Sequence, residues 1–207
     1  MSQPISLRER KRAETWSALH AAASATALEK GLEHVGVEAV AAAAGVSTRT
    51  FFNYFQCKED AVLGLQEPSV DDSMLASFNV EGDLLEQVSH LMLSVLQSIQ
   101  GGASGENRHA ILHKYPHLAH RRFQYVVQVE QLVTGIVTEQ LASSQRWATR
   151  RDEPYSVEDV AKTIVMVAGA GLRNVMQKTI SRPTRESQFD ALDEGLQLMR
   201  SVLKELL

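Results

Sequence analysis

The sequence predicts an all-α chain with an N-terminal three-helix helix-turn-helix head and a larger C-terminal helical bundle. Apolar residues recur at helical spacing along most of the 207 residues, and no segment shows the alternation of a half-buried strand. Glycines and prolines separate these helical segments. Near residue 45 two short helical patterns are joined by Gly-Val-Ser, a connection typical of a helix-turn-helix.

The head begins with a helix predicted over Arg8 to Lys30. Leu19, Ala22 and Ala23 give this helix an apolar face at helical spacing. Gly31 follows and can end the helix, because glycine adopts the left-handed backbone of a helix C-terminus at little cost.

Two short helices follow and form the helix-turn-helix. The first, Val37 to Ala44, is apolar and rich in alanine, and Gly45 stops it. Ser47 is predicted to cap the second helix by accepting a hydrogen bond from one of its free amides. In the second helix Phe51 and Phe55 lie four residues apart, so both rings should face the core of the head.

The outer face of the second short helix is polar and cationic and carries one aromatic ring. Such a face suits the major groove of DNA, where arginine pairs with guanine, asparagine with adenine, and apolar groups touch the thymine methyl. The residues predicted to face base edges are Thr48, Arg49, Phe52 and Asn53.

Basic charge is concentrated before the first helix. The formal net charge is −4, yet residues 1–66 hold seven basic and seven acidic residues, so the net negative charge belongs to residues 67–207. A DNA phosphate responds to local clusters within a Debye length rather than to the sum over the chain. The residues predicted to hold phosphates are Arg8, Arg10, Lys11, Arg12, Ser47, Thr50, Tyr54 and Lys58. The alternative for the basic cluster is a solvated polar tail.

Residues 19 to 63 resemble the TetR family of bacterial transcriptional repressors. The matching positions are Leu19, Ala22-Ala23, Gly31, the run from Ala41 to Ser47, Thr50-Phe51, Tyr54-Phe55 and Lys58-Glu59. Gly36 departs from the family, which usually has Thr or Ser as the cap there, and Ala27 replaces a large aromatic residue. Other residues must therefore fill the core of the head. The resemblance implies a ligand-responsive repressor that binds a double-stranded DNA operator as a homodimer.

The sequence divides at the proline after the head. A linking helix is predicted over residues 58–66, and Pro68 halts it, which gives a DNA-binding domain at residues 1–66. Residues 67–207 form the second domain, to which the resemblance assigns effector binding and dimerisation. Its helices are predicted over Leu84–Ile99, Glu106–Lys114, His117–Arg146, Ser156–Ile180 and Arg185–Leu206. Ser156 and Asp159 indicate a capping box at the start of the fourth of these.

The last two helices each carry a broad apolar stripe. The stripes complete the core of the domain, and the resemblance implies that they also form a four-helix interface with a second chain. Physical reasoning favours a dimer too, because helix-turn-helix proteins bind two half-sites. The residues predicted at the interface are Gly171, Leu192, Leu196, Met199 and Leu203.

The resemblance also implies an effector bound among the helices between about Leu84 and Met176. Apolar residues dominate this region, so a small, largely apolar molecule is favoured over a sugar or a phosphate, which would require clustered charges. The residues predicted to line the pocket are Met92, Leu96, His109, His113, Phe123, Val126, Met166, Ala170 and Asn174. A bundle without a cavity would instead indicate an activator or a constitutive architectural DNA-binding protein.

An enzyme or a metal protein is the remaining alternative. His109 and His113 have the spacing of zinc ligands, but Pro116 interrupts the helix before His117 and His120, and no cysteine or paired carboxylate completes a site. Neither a Ser-His-Asp spacing nor a glycine-rich phosphate loop is present. We therefore expect no enzyme activity, no metal and no cofactor.

Cys57 is the only cysteine, so no intrachain disulfide can form. It lies at the predicted start of the linking helix beside Lys58, where a helix N-terminus and a cation should lower a thiol pKa. Oxidant sensing therefore competes with a plain cap, although one thiol has no resolving partner in its chain. The sequence has no run of eighteen apolar residues and no apolar stretch after its first charges, which predicts a cytoplasmic protein without a membrane span or signal peptide.

Overall fold

The computed structural model describes residues 6–99, 105–149, 154–178 and 185–206. These residues form α-helices and a 3₁₀ turn at Leu32–His34, with no strand among them, and the predicted all-α fold is confirmed. The helices are α1 (Leu7–Glu29), α2 (Val37–Ala43), α3 (Thr48–Phe52), α4 (Lys58–Leu63), α5 (Asp72–Ser77), α6 (Leu84–Ser98), α7 (Gly105–Lys114), α8 (Leu118–Ala142), α9 (Gln145–Ala148), α10 (Val157–Lys178) and α11 (Arg185–Leu206).

Two short helices, α5 and α9, were not predicted from the sequence. α5 lies in the acidic segment after Pro68, α9 spans the predicted end of the helix over His117–Arg146 and the loop after it, and each starts at a capping side chain. Asp71 accepts a hydrogen bond from the Met74 amide at 2.9 Å, and Ser144 accepts one from the Trp147 amide at 3.1 Å. The cap at Ser144 also explains why α8 ends at Ala142 rather than continuing to Arg146. Helices this short carry too few apolar residues for periodicity to reveal them.

The chain divides into two compact units. The first unit, residues 1–67 and 99–124, contains the helix-turn-helix head together with α7 and the first turns of α8. Within it α1 packs against α2, α4 and α7. Aromatic rings from α1, from α3 and from the segment just after α3 fill its centre, and the buried members are Trp16, His20, Phe51 and Phe55.

The second unit comprises residues 68–98 and 125–207. In this unit α6 packs against α10 and α11, and α10 also packs against α11. The predicted capping box at the start of α10 is confirmed, since the Asp159 amide donates to Ser156 Oγ at 3.1 Å and the Ser156 amide donates to Asp159 Oδ2 at 3.3 Å. None of the helices described is long and apolar enough to cross a membrane.

Candidate nucleic-acid interface

The turn of the helix-turn-helix is built by one glycine and one serine. Gly45 has φ of 69°, the left-handed conformation that favours glycine, and it ends α2. Ser47 then caps α3, because its Oγ accepts a hydrogen bond from the Thr50 amide at 3.1 Å. The Ser47 and Thr50 hydroxyls also lie 2.9 Å apart. The predicted stop and cap are both confirmed.

The inner face of α3 is fixed by an aromatic cluster. Phe51 and Phe55 are fully buried, with ring centroids 5.7 Å apart. The ring of Trp16 lies 5.9 Å from that of Phe55 and stacks on His20 at 5.4 Å. Each aromatic pair adds about 0.5–1.5 kcal/mol beyond the burial of its surface, so the cluster holds α3 in one orientation on α1.

The outer face of α3, which we call the recognition face, consists of Thr48, Arg49, Phe52 and Asn53. The structure brings all four together and exposes all of them. Phe52 is 57% exposed, and its ring stands edge-on to Phe51 at 5.4 Å. A ring held by a buried neighbour and open to solvent can contact a thymine methyl without rearranging the head.

A cleft of about 640 Å³ lies between the start of α1 and α3. We call it the basic cleft, and its lining residues are Leu7, Arg8, Lys11, Arg12, Thr15, Thr50, Asn53 and Tyr54. The guanidinium of Arg12 lies 5.9 Å from the ring centroid of Tyr54, a cation–π contact that orders this cation beside α3. Cationic and hydroxyl side chains therefore share a concave surface that also touches the recognition face through Asn53.

Two of the predicted phosphate-binding cations lie apart from the cleft. Arg10 is not in its lining and approaches Glu14 at 3.7 Å, because residues 8, 11 and 12 share one face of α1 and residue 10 does not. Lys58 Nζ donates a hydrogen bond to the Leu32 carbonyl at 3.1 Å. The ammonium of Lys58 is thus already engaged at the 3₁₀ turn.

The expectation that Cys57 has a lowered thiol pKa is wrong. Cys57 does occupy the N-cap of α4, but its side chain makes no capping hydrogen bond. Burial raises the pKa of its thiol to about 11, and the Asp60 backbone amide offsets only part of that shift. The thiol therefore stays protonated at neutral pH and is a poor nucleophile towards oxidants. The environment therefore favours Cys57 as an N-cap residue without a sensing role, although its side chain makes no capping hydrogen bond.

Contacts from residues 99–124 also hold the head, and they were not predicted. Asp60 is fully buried in α4 and accepts two hydrogen bonds from Arg121, at 2.7 Å from Nε and 2.7 Å from Nη2. The Tyr115 hydroxyl donates to the Ala27 carbonyl at 2.8 Å and accepts from the Leu32 amide at 3.0 Å. The partners lie 61 to 88 positions apart in the sequence, so no local pattern could have revealed them.

The residues predicted for the effector pocket are not gathered in one cavity among the described residues. Met92, Leu96 and Val126 are buried in the core of the second unit, whereas Met166 and Ala170 are exposed. The other placed members, His113 and Phe123, are exposed in the first unit. The side chains of His109 and Asn174 lie outside the described residues. Helical spacing identifies a side chain as apolar but does not determine which face of a buried helix turns towards a cavity.

The residues predicted at the dimer interface mostly pack within the chain. Leu192 and Leu196 are buried in the second unit, and a Cβ on Gly171 would lie 3.5 Å from Leu196. Met199 is half-buried beside Gly171, and the side chain of Leu203 lies outside the described residues. The small residue therefore lets α11 approach α10 of the same chain. Among the described residues of α10 and α11, the exposed large apolar side chains are Met166, Leu198 and Val202.

Comparison with known proteins agrees with the geometry of the head. Residues 19–63 match the family model of the bacterial regulatory proteins of the tetR family. Two crystal structures of NalD, the secondary repressor of the MexAB-OprM multidrug efflux pump in Pseudomonas aeruginosa, are among the solved structures to which the chain is similar. One has 18% identity and covers 90% of this chain and 96% of that chain, with a TM-score of 0.41. The other has 19% identity and covers 88% and 95%, also with a TM-score of 0.41. No curated protein sequence matches the chain.

Proposed function

We propose that this chain is a transcriptional repressor, because residues 19–63 match the family model of the bacterial regulatory proteins of the tetR family. In this proposal a homodimer binds a palindromic operator, and a small apolar effector releases it. Each head places α3 in a major groove, so Thr48, Arg49, Phe52 and Asn53 meet base edges.

The observation that carries the proposal is the adjacency of the recognition face and the basic cleft. Asn53 belongs to both surfaces, and Arg8, Lys11 and Arg12 line the cleft beside it. Phosphate contacts fix the register of a protein on DNA, and base contacts read the sequence. One continuous surface in the head offers both kinds of contact.

The homodimer in this proposal uses apolar side chains that the chain leaves uncovered. Met166 on α10 is 66% exposed, and Leu198 and Val202 on α11 are also open to solvent. A second copy of the chain would remove these side chains from water and would present two heads to two half-sites. Release requires that the effector bind the DNA-free arrangement more tightly than the operator-bound one.

Substitution of Arg49 tests the proposed base contact. We expect Arg49→Ala to weaken binding to DNA from upstream of the gene by about 1–3 kcal/mol for each half-site and to relax the preference at one position in each half-site. Binding is measured by fluorescence anisotropy with a panel of single-base operator variants. Lys30→Ala is the matched control, because it removes the same charge from the exposed end of the first helical segment, away from the cleft lining. Equal losses in the two variants would refute the assignment of Arg49.

Substitution of Lys11 tests the basic cleft separately. Lys11→Ala should weaken binding to all DNA sequences alike, and it should reduce the slope of log K against log salt by about 2 for the homodimer, because each protomer loses one phosphate contact. Lys58→Ala serves as comparison, since its ammonium is bonded to the Leu32 carbonyl. If Lys58→Ala flattens the salt dependence and Lys11→Ala does not, the phosphate-binding surface lies at α4 instead.

A further inference from the structure

A cavity of about 210 Å³ lies within the second unit, where α5 covers the side of α6 next to α11. The residues that line it are Met74, Ser77, Phe78, Gln87, His90, Leu91, Ser94 and Phe189. None of them belongs to the effector pocket predicted from the sequence. This volume is below the roughly 300–1,000 Å³ of sites for drug-sized ligands, so an occupant must be small.

A row of three polar pairs joins α6 to α11 beside this cavity. Asp83 pairs with Arg200 at 2.7 Å, His90 Nε2 lies 2.6 Å from Asp193 Oδ1, and Gln97 donates to Gln188 at 2.8 Å. The α6-side residues are spaced by seven positions while their partners run backwards along the sequence, so the helices are antiparallel and the row fixes their register. His90 belongs to both the row and the cavity.

The lining favours an uncharged aromatic ring. Two phenylalanines, Phe78 and Phe189, line the cavity with Met74 and Leu91, and methionine sulfur makes favourable contacts with aromatic rings. None of the eight lining residues is a lysine or an arginine, and the Asp193 carboxylate lies beside the cavity on His90. Among the described lining residues an anionic ligand would therefore find no cation to neutralise it, and the Asp193 carboxylate would repel it.

The polar groups of the lining favour a hydroxyl on that ring. The Asp193 carboxylate accepts a hydrogen bond from Nε2 of His90. The other ring nitrogen of His90, Nδ1, has no hydrogen-bond partner among the described residues. A hydroxyl both donates and accepts, so it can bond Nδ1 in either protonation state of the imidazole. Ser94 Oγ likewise has no partner among the described residues, while Gln87 uses its Oε1 for the Asn79 amide at 2.9 Å and keeps its NH₂ group for a ligand.

The covering helix is suited to close over such a ligand. α5 spans six residues, and none of them is buried. It is held by its own cap at Asp71 and, just beyond its end, by the bond between Asn79 and Gln87. Helices with few buried apolar contacts open locally at low cost. A ring beneath α5 would bury Met74 and Phe78, so ligand binding and ordering of α5 would favour each other.

We propose that this cavity is the effector site of the regulator and that it binds a small uncharged phenol. The inference rests on the proposed function for its regulatory meaning. A ligand hydroxyl at His90 acts directly on the residue that pairs with Asp193, so binding alters the register contact between α6 and α11. Because α11 carries apolar side chains assigned to the second copy, occupancy of the cavity would bias the dimer arrangement.

Calorimetric titration of the full chain with 4-methylphenol tests the site. We expect one molecule bound per chain, with toluene bound about tenfold more weakly, because it lacks the hydroxyl worth roughly one hydrogen bond. 4-Methylbenzoate should not bind. Equal affinity for 4-methylphenol and toluene, or tighter binding of 4-methylbenzoate, would overturn the proposed ligand class.

Substitutions in the cavity lining test whether 4-methylphenol binds in this cavity. Ser94→Leu should abolish binding by filling the cavity, whereas Ser143→Leu, an exposed serine at the end of α8, should leave it unchanged. His90→Gln should weaken binding about tenfold, and His113→Gln, an exposed histidine of the first unit, should not. Should Ser94→Leu fail to fold, the His90 imidazole protons of the wild-type chain, followed by NMR, must shift with 4-methylphenol and not with 4-methylbenzoate. Unchanged binding by Ser94→Leu, or unshifted His90 protons, would contradict the site.

Operator binding in the same samples separates this inference from the proposed function. A chain that binds its upstream DNA and ignores 4-methylphenol would overturn the effector site alone. A chain that binds 4-methylphenol in the cavity but no DNA would overturn the repressor and leave a phenol-binding protein. Support for both requires that 4-methylphenol lower the operator affinity of the wild-type chain and not that of Ser94→Leu.

Discussion

The polar contacts inside the first unit differ in burial from those inside the second. In the first unit Asp60 is 0% exposed and meets Arg121, which is 25% exposed, through two hydrogen bonds. In the second unit the row between α6 and α11 is more exposed to solvent, since the side chains of Asp83 and Arg200 are 48% and 42% exposed. A buried carboxylate cannot exchange its partner for water, whereas exposed charges can.

This difference indicates which unit can change its shape. A shift of α4 against the start of α8 would leave the Asp60 carboxylate buried without its arginine partner. The first unit should therefore move as one rigid body. The polar pairs between α6 and α11 in the second unit can break and re-form in solvent at a small cost in free energy. We therefore expect the head to be rigid and the packing of α6 against α11 to be the part that can adjust.

The largest effect is expected from Arg121→Met, which leaves Asp60 buried without its partner. Removing one member of a buried pair costs about 3–5 kcal/mol, and partial exposure of Arg121 places the expected loss near the lower end. Urea unfolding followed by Trp16 fluorescence in a Trp147→Phe background reports on the first unit. Arg173→Met in the second unit is the control, followed through Trp147 in a Trp16→Phe background. That arginine pairs with Glu130 at 3.1 Å near solvent, so its loss should cost under about 1 kcal/mol. Similar losses in both variants would remove the distinction between the units.

A pH effect in the head should come next in size. Burial lowers the pKa of His20, which also bonds the Ala61 carbonyl at 2.7 Å. The folded pKa then lies below the unfolded value of about 6.5, so the unfolded state takes up the proton first. Stability is fully present above about pH 6.5 and falls as the pH drops below it, by at most about 1.4 kcal/mol per pH unit. Urea midpoints at pH 7.5, 6.5 and 5.5 should show this slope in the wild type and a shallower one in His20→Gln.

The smallest effect is expected from the exposed end of the α6–α11 row. A double-mutant cycle on Asp83→Asn and Arg200→Gln should give a coupling of about 0.2–1 kcal/mol that declines with added salt. Unfolding of the second unit, followed through Trp147 in a Trp16→Phe background, supplies the four free energies. A coupling free energy as large as the stability lost in Arg121→Met would mean that the contact between α6 and α11 is as rigid as the head.

Local features of the fold were predictable because their causes lie within a few residues of each other. The stop at Gly45, the cap at Ser47 and the capping box at Ser156 and Asp159 all appear in the structure. The inward face of Phe51 and the outward recognition face followed from helical spacing alone. These are the features on which the candidate nucleic-acid interface depends, so its geometry could be predicted from the sequence.

Features that depend on distant partners could not be predicted in this way. The row between α6 and α11 joins residues 91 to 117 positions apart, and the bond from Arg121 to Asp60 spans 61. Helices that are apolar on several faces, such as α6, give no signal for which face meets which neighbour. The raised pKa of the Cys57 thiol also depends on tertiary packing, because burial outweighed the hydrogen bond from the Asp60 amide at the helix terminus.

The central claim is that a dimer of this chain reads two half-sites of one operator with its recognition faces. Hydroxyl-radical footprinting of the wild-type chain on DNA from upstream of its gene tests this most directly. We expect two protected patches on one face of the duplex, with centres about 34–36 Å apart or at a multiple of that distance, and their loss in Arg49→Ala. A single protected patch, or two patches that persist unchanged in Arg49→Ala, would contradict the account.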